Sequence, residues 1–319
     1  MGILRLLLAC SVVFEHCPSW IGLKLIPGHM AVELFFMISG FYMSLVLTEK
    51  YNVRSGAGIR SFYLSRFFRL WPLYLVTMVG TTLWWLFSWW YLQRPPTAAA
   101  DFSAIMGPVL YPLMQFSNWF MVGHDIPNLF HGSVESGLVL TMGYTPEPLA
   151  DGSAWLGSAS DIGQAWSIGT ELWFYLCVPF LIKLSTRNLV ILMAAGLLVR
   201  AGMEQAGWAA YFFFPAQLPL FLGGVLAQRH GSRSLAAPHS AFFNWSCVML
   251  VGAGSLAYGS VGEWAQSWKW VLYVPVVFTL AALFEVSKRL RLDRLIGEWS
   301  YPVYIIHVLA YAMLRQIGN

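Results

Sequence analysis

The stretch MAVELFFMISGFYMSLVLT, residues 30–48, is apolar almost throughout and contains a single charged residue, Glu33. A helix needs roughly 20 mainly apolar residues to cross a bilayer, so this stretch predicts a transmembrane helix. Similar stretches predict further spans at about 4–22, 71–92, 103–123, 165–183, 188–207, 209–228, 241–260, 269–286 and 299–316. We find neither a soluble domain nor an internal repeat, so a single membrane domain is predicted over residues 1–319.

The composition indicates that lipid, rather than water, solvates much of this chain. Hydrophobic residues make up 58% of the sequence and charged residues 11%, whereas soluble domains typically contain about 25% charged residues. The predicted fold class is therefore all-α, a polytopic bundle of transmembrane helices. The basic residues lie in short loops between apolar stretches, which is typical of topology signals and does not suggest nucleic acid as a partner.

The distribution of charge predicts the orientation of the helices. Five basic residues lie between the second and third spans: Lys50, Arg54, Arg60, Arg66 and Arg69. The positive-inside rule therefore places this segment and the N-terminus in the cytoplasm. Residues 124–165 hold five carboxylates and no lysine or arginine, so we expect them outside. If 103–123 is re-entrant, the chain crosses the membrane nine times and both placements are satisfied. Its two prolines favour this topology. If 103–123 spans the membrane, the chain crosses ten times.

Ionisable residues inside a membrane are costly, so each is a candidate functional residue. Arg5 and His16 are eleven positions apart, which returns almost to the same helix face with a rise of about 16 Å. Glu33 begins the next span and is expected at a depth similar to that of His16. A carboxylate can fix the tautomer of an imidazole and raise its basicity, so we predict that His16 is a general base held by Glu33. The alternative is a helix-packing pair.

Arg66 and Arg69 lie three positions apart, which puts their guanidinium groups on one helical face. Two such groups suit the phosphates of a ligand. On spacing alone, however, anchoring at the inner membrane surface is the better interpretation.

Two polar stripes complete the set of candidate residues. Ser167, Glu171 and Tyr175 recur every four residues beside Trp166, and their spacing is typical of interhelical hydrogen bonding. For Glu171, a catalytic role is an equal alternative. The last span carries a second stripe, for which a structural role is favoured: Ser300, Tyr304 and His307.

Taken in order, these motifs resemble the acyltransferase-3 family of bacterial membrane acyltransferases. The motifs are Arg5 with His16, the run from Glu33 to Phe41, Arg66 and Arg69 followed by Pro72 and Tyr74, and Trp166-Ser167 with Glu171, Phe174 and Tyr175. The end of the chain is also similar to the family's last helix, through Gly297, Ser300, Tyr301, Tyr304 and His307.

The resemblance implies transfer of an acyl group, expected to be acetyl, from cytoplasmic acyl-CoA to a cell-surface or exported glycan or a lipid-linked saccharide. The expected location is the bacterial inner membrane, with acetyl-CoA as co-substrate and no metal. His16 is implied as catalytic and Arg5, Arg66 and Arg69 as binding the coenzyme. We assign Ser39 to the same coenzyme site.

The alternative from another class is a proton-coupled transporter or lipid-linked glycan flippase, in which His16, Glu33 and Glu171 relay protons. Transporters often contain internal repeats, and we detect none. The sequence leaves open the acyl group, the acceptor hydroxyl, homo-oligomer formation, and whether transfer is direct or passes through an acyl-histidine.

Overall fold

The structure, a computed structural model, describes residues 1–17, 25–91, 102–135, 137–140, 153–234, 246, 269–288 and 290–317. It is predominantly helical, as the composition predicts. Among the described residues, four helices are long and apolar enough to cross a membrane: Gly28–Glu49, Gly56–Trp90, Thr186–Gln205 and Lys269–Ser287. The predicted span 241–260 lies almost entirely outside the described residues.

The helices follow the predicted order of spans. They are α1 Gly2–His16, α2 Gly28–Glu49, α3 Gly56–Trp90, α4 Phe102–Phe120, α5 Trp166–Leu181, α6 Thr186–Gln205, α7 Phe214–Ser234, α8 Lys269–Ser287, α9 Arg291–Glu298 and α10 Ser300–Ile317.

Helix α3 begins at Gly56, well before the span predicted from residue 71. Its buried side chains explain the difference, because Phe62, Leu70, Tyr74 and Met78 recur at helical spacing. Three residues of the basic segment are therefore part of this helix: Arg60, Arg66 and Arg69. Arg66 and Arg69 consequently have fixed positions on a helix face.

Helix α4 is broken, as its prolines predict. Gly107 adopts a φ of 67° immediately before Pro108, and Pro112 follows one turn later. Glycine tolerates this left-handed conformation because it lacks a Cβ atom, and proline removes a backbone donor. Within the described part of the chain, α4 is not among the helices that meet the length and hydropathy expected of a span.

The prediction of an all-α fold is wrong in one region. A three-stranded antiparallel sheet, in the order β2-β1-β3, is formed by β1 Phe130–Ser133, β2 Gly137–Leu140 and β3 Ala154–Trp155. Gly137, the first residue of β2, adopts a φ of 66°. Such short strands carry too few residues for their alternating pattern to stand out in a sequence.

The chain divides into two compact units. The first unit comprises Met1–Ile59, Val178–Met193 and Leu220–Tyr311. The second unit comprises Arg60–Cys177, Ala194–Pro219 and Ala312–Asn319. The candidate residues are divided between them, so each unit is described by itself.

Close backbone contact joins α2 and α7 in the first unit. A Cβ atom on Gly40 would lie 2.0 Å from the Phe221 carbonyl oxygen, and one on Gly224 would lie 1.9 Å from that of Met37. Small residues allow helices in membranes to approach in this way. Gly40, inside the motif from residue 33 to 41, therefore has a packing role.

Two tyrosines tie the helices of the second unit together. The Tyr63 hydroxyl donates to the Leu176 carbonyl at 3.0 Å, and Tyr74 donates to the Asn118 carbonyl. These bonds hold α3 against α5 and the end of α4. They fix the helix that carries Arg66 and Arg69.

Candidate active site

Helix α1 is anchored at its N-terminal end by Asp293 of α9. The backbone N–H groups of Gly2 and Ile3 donate to this carboxylate at 2.7 and 2.9 Å. An acidic group at a helix N-terminus satisfies free donors and complements the helix dipole. The half-buried Arg5 follows on the first turn of the anchored helix.

His16 is the last residue of α1, and its Nδ1 atom lies 2.9 Å from the Val12 carbonyl oxygen. A carbonyl oxygen only accepts hydrogen bonds, so Nδ1 carries the proton in the neutral ring. The Nε2 atom then presents a lone pair. This is the tautomer that a general base requires.

The structure pairs Glu33 with residues other than His16. Glu33 is fully buried, accepts a hydrogen bond from the Tyr273 hydroxyl, and lies 3.9 Å from the Lys269 ammonium. The hydrogen bond that His16 makes in the described part of the chain goes to Val12 instead. The prediction that Glu33 orients His16 is therefore wrong.

The ring that lies beside His16 belongs to His307 of α10. The two imidazole centroids are 5.1 Å apart and the rings are inclined by 53°. His307 is buried, and its Nδ1 atom lies 2.6 Å from the Tyr304 carbonyl oxygen. Tyr304 in turn packs against Phe35 of α2, and their ring centroids are 6.4 Å apart.

Ser300 begins the same stripe at the start of α10. Ser300 is buried and donates to the Gly297 carbonyl at 2.8 Å, which joins α9 to α10. Tyr301 lies half-buried on the first turn of α10, and Ser39 is half-buried on α2. The structure gives neither Tyr301 nor Ser39 a described contact with His16.

In the second unit, the arginine motif and the Glu171 stripe come together. The Tyr175 hydroxyl donates to the Glu171 carboxylate at 2.6 Å. The charges of Arg66 and Arg69 both act on the Tyr175 hydroxyl. The Phe62 ring lies beside both Arg66 and Tyr175: its centroid is 5.9 Å from the Arg66 guanidinium carbon and 6.3 Å from the centroid of the Tyr175 ring. Spacing alone favoured membrane anchoring for the arginines, but their acidic and phenolic neighbours indicate a specific polar site.

The two arginines differ in exposure. Arg66 is half-buried, whereas Arg69 is exposed. Burial strengthens the interaction between a cation and an anion, because less water screens the charges. Arg66 is therefore expected to contribute more to anion binding.

The remaining predicted residues of α5 have packing roles. The Ser167 hydroxyl donates to the Gln164 carbonyl at 3.1 Å, at the start of the helix. Trp166 packs against Tyr211 and Phe212, with ring centroids 4.5 and 4.9 Å away. These contacts hold the first turn of α5 in place.

Sequence analysis missed a buried polar cluster between α4 and α5. Burial lowers the pKa of His124 to about 4 and raises that of Asp125 to about 6, the latter despite a 3.1 Å hydrogen bond from Trp173. Asp161 accepts a hydrogen bond from Asn118 at 3.2 Å, and its pKa is also raised by burial. Asp125 and Asp161 had been interpreted only as markers of topology.

Tyr273 and Lys269 were also missed. Both lie on α8, four positions apart, so they share a face of that helix. A lone cation at the start of an apolar span was the available signal.

Comparisons with known proteins place this geometry in context. Residues 1–319 match the acyltransferase domain family Acyl_transf_3. The chain is 25% identical to nodulation protein 10 of Rhizobium leguminosarum bv. viciae, over 99% of this chain and 83% of the relative. It is 24% identical to acyltransferase MdmB of Streptomyces mycarofaciens, over 88% of this chain and 68% of the relative.

A third relative is peptidoglycan O-acetyltransferase OatA of Listeria monocytogenes. It is 22% identical over 68% of this chain, and the match covers 29% of OatA. No solved structure gives a significant match.

Proposed function

Because this chain belongs to the acyltransferase-3 family, a family of membrane proteins, we propose that it moves an acyl group from cytoplasmic acyl-CoA to a hydroxyl of a cell-surface or exported glycan. The acyl group is expected to be acetyl. The structural observation that carries the proposal is His16, whose bonded Nδ1 leaves Nε2 as a base. OatA, named as an O-acetyltransferase of peptidoglycan, supports the choice of acyl group and of a glycan acceptor.

His16 is the general base in this mechanism. Its Nε2 atom takes the proton of the acceptor hydroxyl as the oxygen attacks the thioester carbonyl. The new ester C–O bond forms, the C–S bond breaks, and CoA leaves as the thiolate. A sugar hydroxyl is too weak an acid to attack readily near neutral pH, and general base catalysis is typically worth about 10²–10⁴-fold in rate.

Arg66 and Arg69 bind the phosphates of the coenzyme. Guanidinium groups make forked, charge-assisted hydrogen bonds with phosphate oxygens. Tyr175 and Glu171, hydrogen-bonded to each other on α5, line the same site from the facing helix. Arg5 keeps the coenzyme-binding role that the family resemblance implies.

Glu33 takes a supporting role in place of a catalytic one. Its carboxylate is buried and accepts a hydrogen bond from Tyr273, which supports a structural role. It stabilises the contact between α2 and α8 that keeps the His16 side of the first unit in position.

The proposal places the protein in the bacterial inner membrane with its N-terminus in the cytoplasm. The charge pattern supports this orientation, since the five basic residues that precede and enter α3 lie on its N-terminal side. Acyl-CoA is a cytoplasmic donor, so the donor site opens to that side.

The experiment uses purified protein in proteoliposomes, isotopically labelled acetyl-CoA and a panel of glycan acceptors, including peptidoglycan fragments. We expect label to appear on an acceptor hydroxyl, with one CoA released per ester formed. Mass spectrometry of surface glycans from cells with and without the protein identifies the native acceptor. A glycan that crosses the membrane unlabelled would overturn the proposal and favour a flippase.

A further inference from the structure

His16 and His307 form a matched pair of imidazoles in the first unit. Their centroids are 5.1 Å apart, close enough for one water molecule to bridge the two ring edges. Each Nδ1 atom is bound to the carbonyl of its own helix, on Val12 for His16 and on Tyr304 for His307. Each ring therefore keeps its Nδ1 proton and presents an unprotonated Nε2 atom.

His307 keeps this Nε2 atom without a partner in a buried position. The residue is 6% exposed, and no described residue offers a hydrogen bond to Nε2. Leaving a buried polar atom unpaired is costly, and such atoms in native structures commonly serve a function. A ring needed only for packing would not require this nitrogen.

An open groove gives access to the same ring. It encloses about 320 Å³ between α1 and α10, and His307 and Tyr311 are among its lining residues. The rest of the lining is largely apolar and includes Val13, Val303, Ile306 and Ala310. A small neutral molecule can therefore reach His307 without crossing a charged surface.

We propose that His307 is a proton-sharing residue that acts through His16 in acyl transfer. Nε2 of His16 takes the proton from the acceptor hydroxyl, and a bridging water molecule carries it to Nε2 of His307. The proton is then released to the sulfur of the departing CoA thiolate, so no oxidant or further reactant is needed. This proposal rests on the proposed function, because the hydroxyl and the thioester are its substrates.

A shared proton makes the pH dependence of the reaction a property of the pair. His16 and Tyr304 make the described ring contacts of His307. Further titratable side chains of these elements are Glu15 on α1, Cys17 directly after it, His29 and Glu33 on α2, and Tyr311 on α10.

The test replaces His307 with alanine and with glutamine, and uses Val308→Ala, exposed on the same helix, as the matched control. We expect His307→Ala to lower kcat by about 10²-fold with little change in the KM for acetyl-CoA. His307→Gln keeps much of the side-chain volume but cannot carry the proton, so it should be similarly slow. The acid limb of the kcat–pH profile should shift in both variants.

Chemical rescue separates proton sharing from packing. Imidazole added to His307→Ala should restore much of the lost rate through the groove, whereas pyrazole, of the same size but a far weaker base, should not. Equal rescue by both molecules, or an unchanged kcat and pH profile in His307→Gln, would overturn the proposal. Wild-type protein that transfers nothing from acetyl-CoA would instead overturn the proposed function.

Discussion

The two units of this protein place ionisable side chains in opposite ways. In the first unit, two imidazoles face each other and neither ring has a described acidic partner. In the second unit, Arg66 and Arg69 lie near an acidic residue and a phenol. Imidazoles with an unprotonated Nε2 atom suit proton transfer, whereas paired guanidinium groups suit the binding of phosphate.

This difference predicts a division of labour. Substitutions in the first unit should slow the chemical step, and substitutions in the second should weaken the binding of acyl-CoA. A loss of kcat at constant KM indicates an interaction made only in the transition state, whereas a raised KM at constant kcat indicates lost ground-state binding.

The largest effect is expected for His16→Ala. Loss of the general base should lower kcat by about 10²–10⁴-fold while the KM for acetyl-CoA stays within a few-fold of wild type. Steady-state kinetics in detergent or proteoliposomes measure both constants. His230→Ala, an exposed histidine of the same unit, serves as the control, and an equal loss in both variants would remove the special role of His16.

Arg66→Ala should come next and should act on binding. Loss of a charge-assisted contact costs about 1.5–3 kcal/mol, so the KM for acetyl-CoA should rise by roughly 10–100-fold with kcat little changed. Arg69→Ala should have a smaller effect, because Arg69 is exposed.

Arg60→Ala, an exposed cation on the same helix, is the control for both arginine variants. An unchanged KM in the Arg66→Ala, Arg69→Ala double variant would exclude this motif from the coenzyme site.

Glu33 and Tyr273 should affect stability more than catalysis. Tyr273→Phe removes a hydrogen bond to a buried carboxylate, which should lower the free energy of unfolding by about 1–3 kcal/mol. Glu33→Gln should be similar, and kcat should fall less than tenfold in each. Thermal unfolding in detergent measures the first effect, with the exposed Glu49→Gln on the same helix as control. A loss in Glu33→Gln as large as that of His16→Ala would restore the catalytic role.

His124 and Asp125 should produce opposite pH dependences that largely cancel in the wild type. The folded-state pKa of His124 is lowered to about 4, so its contribution to stability is lost as the pH falls from 6.5 to 4. The folded-state pKa of Asp125 is raised from 3.8 to about 6, so its contribution is gained as the pH falls through 6.

Single variants should uncover these slopes. Asp125→Asn should become less stable towards pH 4, and His124→Gln more stable, by about 1–3 kcal/mol at roughly 1.4 kcal/mol per pKa unit. Thermal unfolding between pH 4 and 7 measures both. Parallel slopes in the two variants would mean that neither group titrates in the folded state as described.

The smallest effect is expected from single cysteine substitutions, which test the side of the membrane on which the sheet lies. Single cysteines at Ser133 and Val134, in a background without Cys10, Cys17, Cys177 and Cys247, should react with an impermeant maleimide on intact cells. Labelling that requires lysis would place residues 124–165 in the cytoplasm, and the charge-based topology would be wrong.

The sequence predicted most helices but only part of the site. Long apolar runs determine spans through local composition, so α2 and α8 were predicted within a few residues. The arginine pair and the Glu171 stripe were also recognised, because their spacing lies within single helices. The partner of Glu33 could not be recognised in the same way, since Tyr273 is 240 positions away and no local pattern records which helices pack together.

Hairpin geometry misled the prediction for His16. His16 and Glu33 are expected at similar depths in adjacent spans, which suggested Glu33 as the partner of His16. Depth, however, does not specify the face that each helix turns towards its neighbour. The structure brings His307 to His16 from the last helix instead. His307 had been noticed as part of a stripe, and only the fold could show what it contacts.

Direct transfer by His16 acting as a base is tested most directly by mixing the purified protein with radiolabelled acetyl-CoA before any acceptor is added. We predict that no acyl group becomes attached to the protein and that CoA is released only when the acceptor arrives, one for each ester formed. Release of one equivalent of CoA without acceptor, with the acyl group found on His16, would contradict base catalysis and establish a two-step transfer through an acyl-histidine.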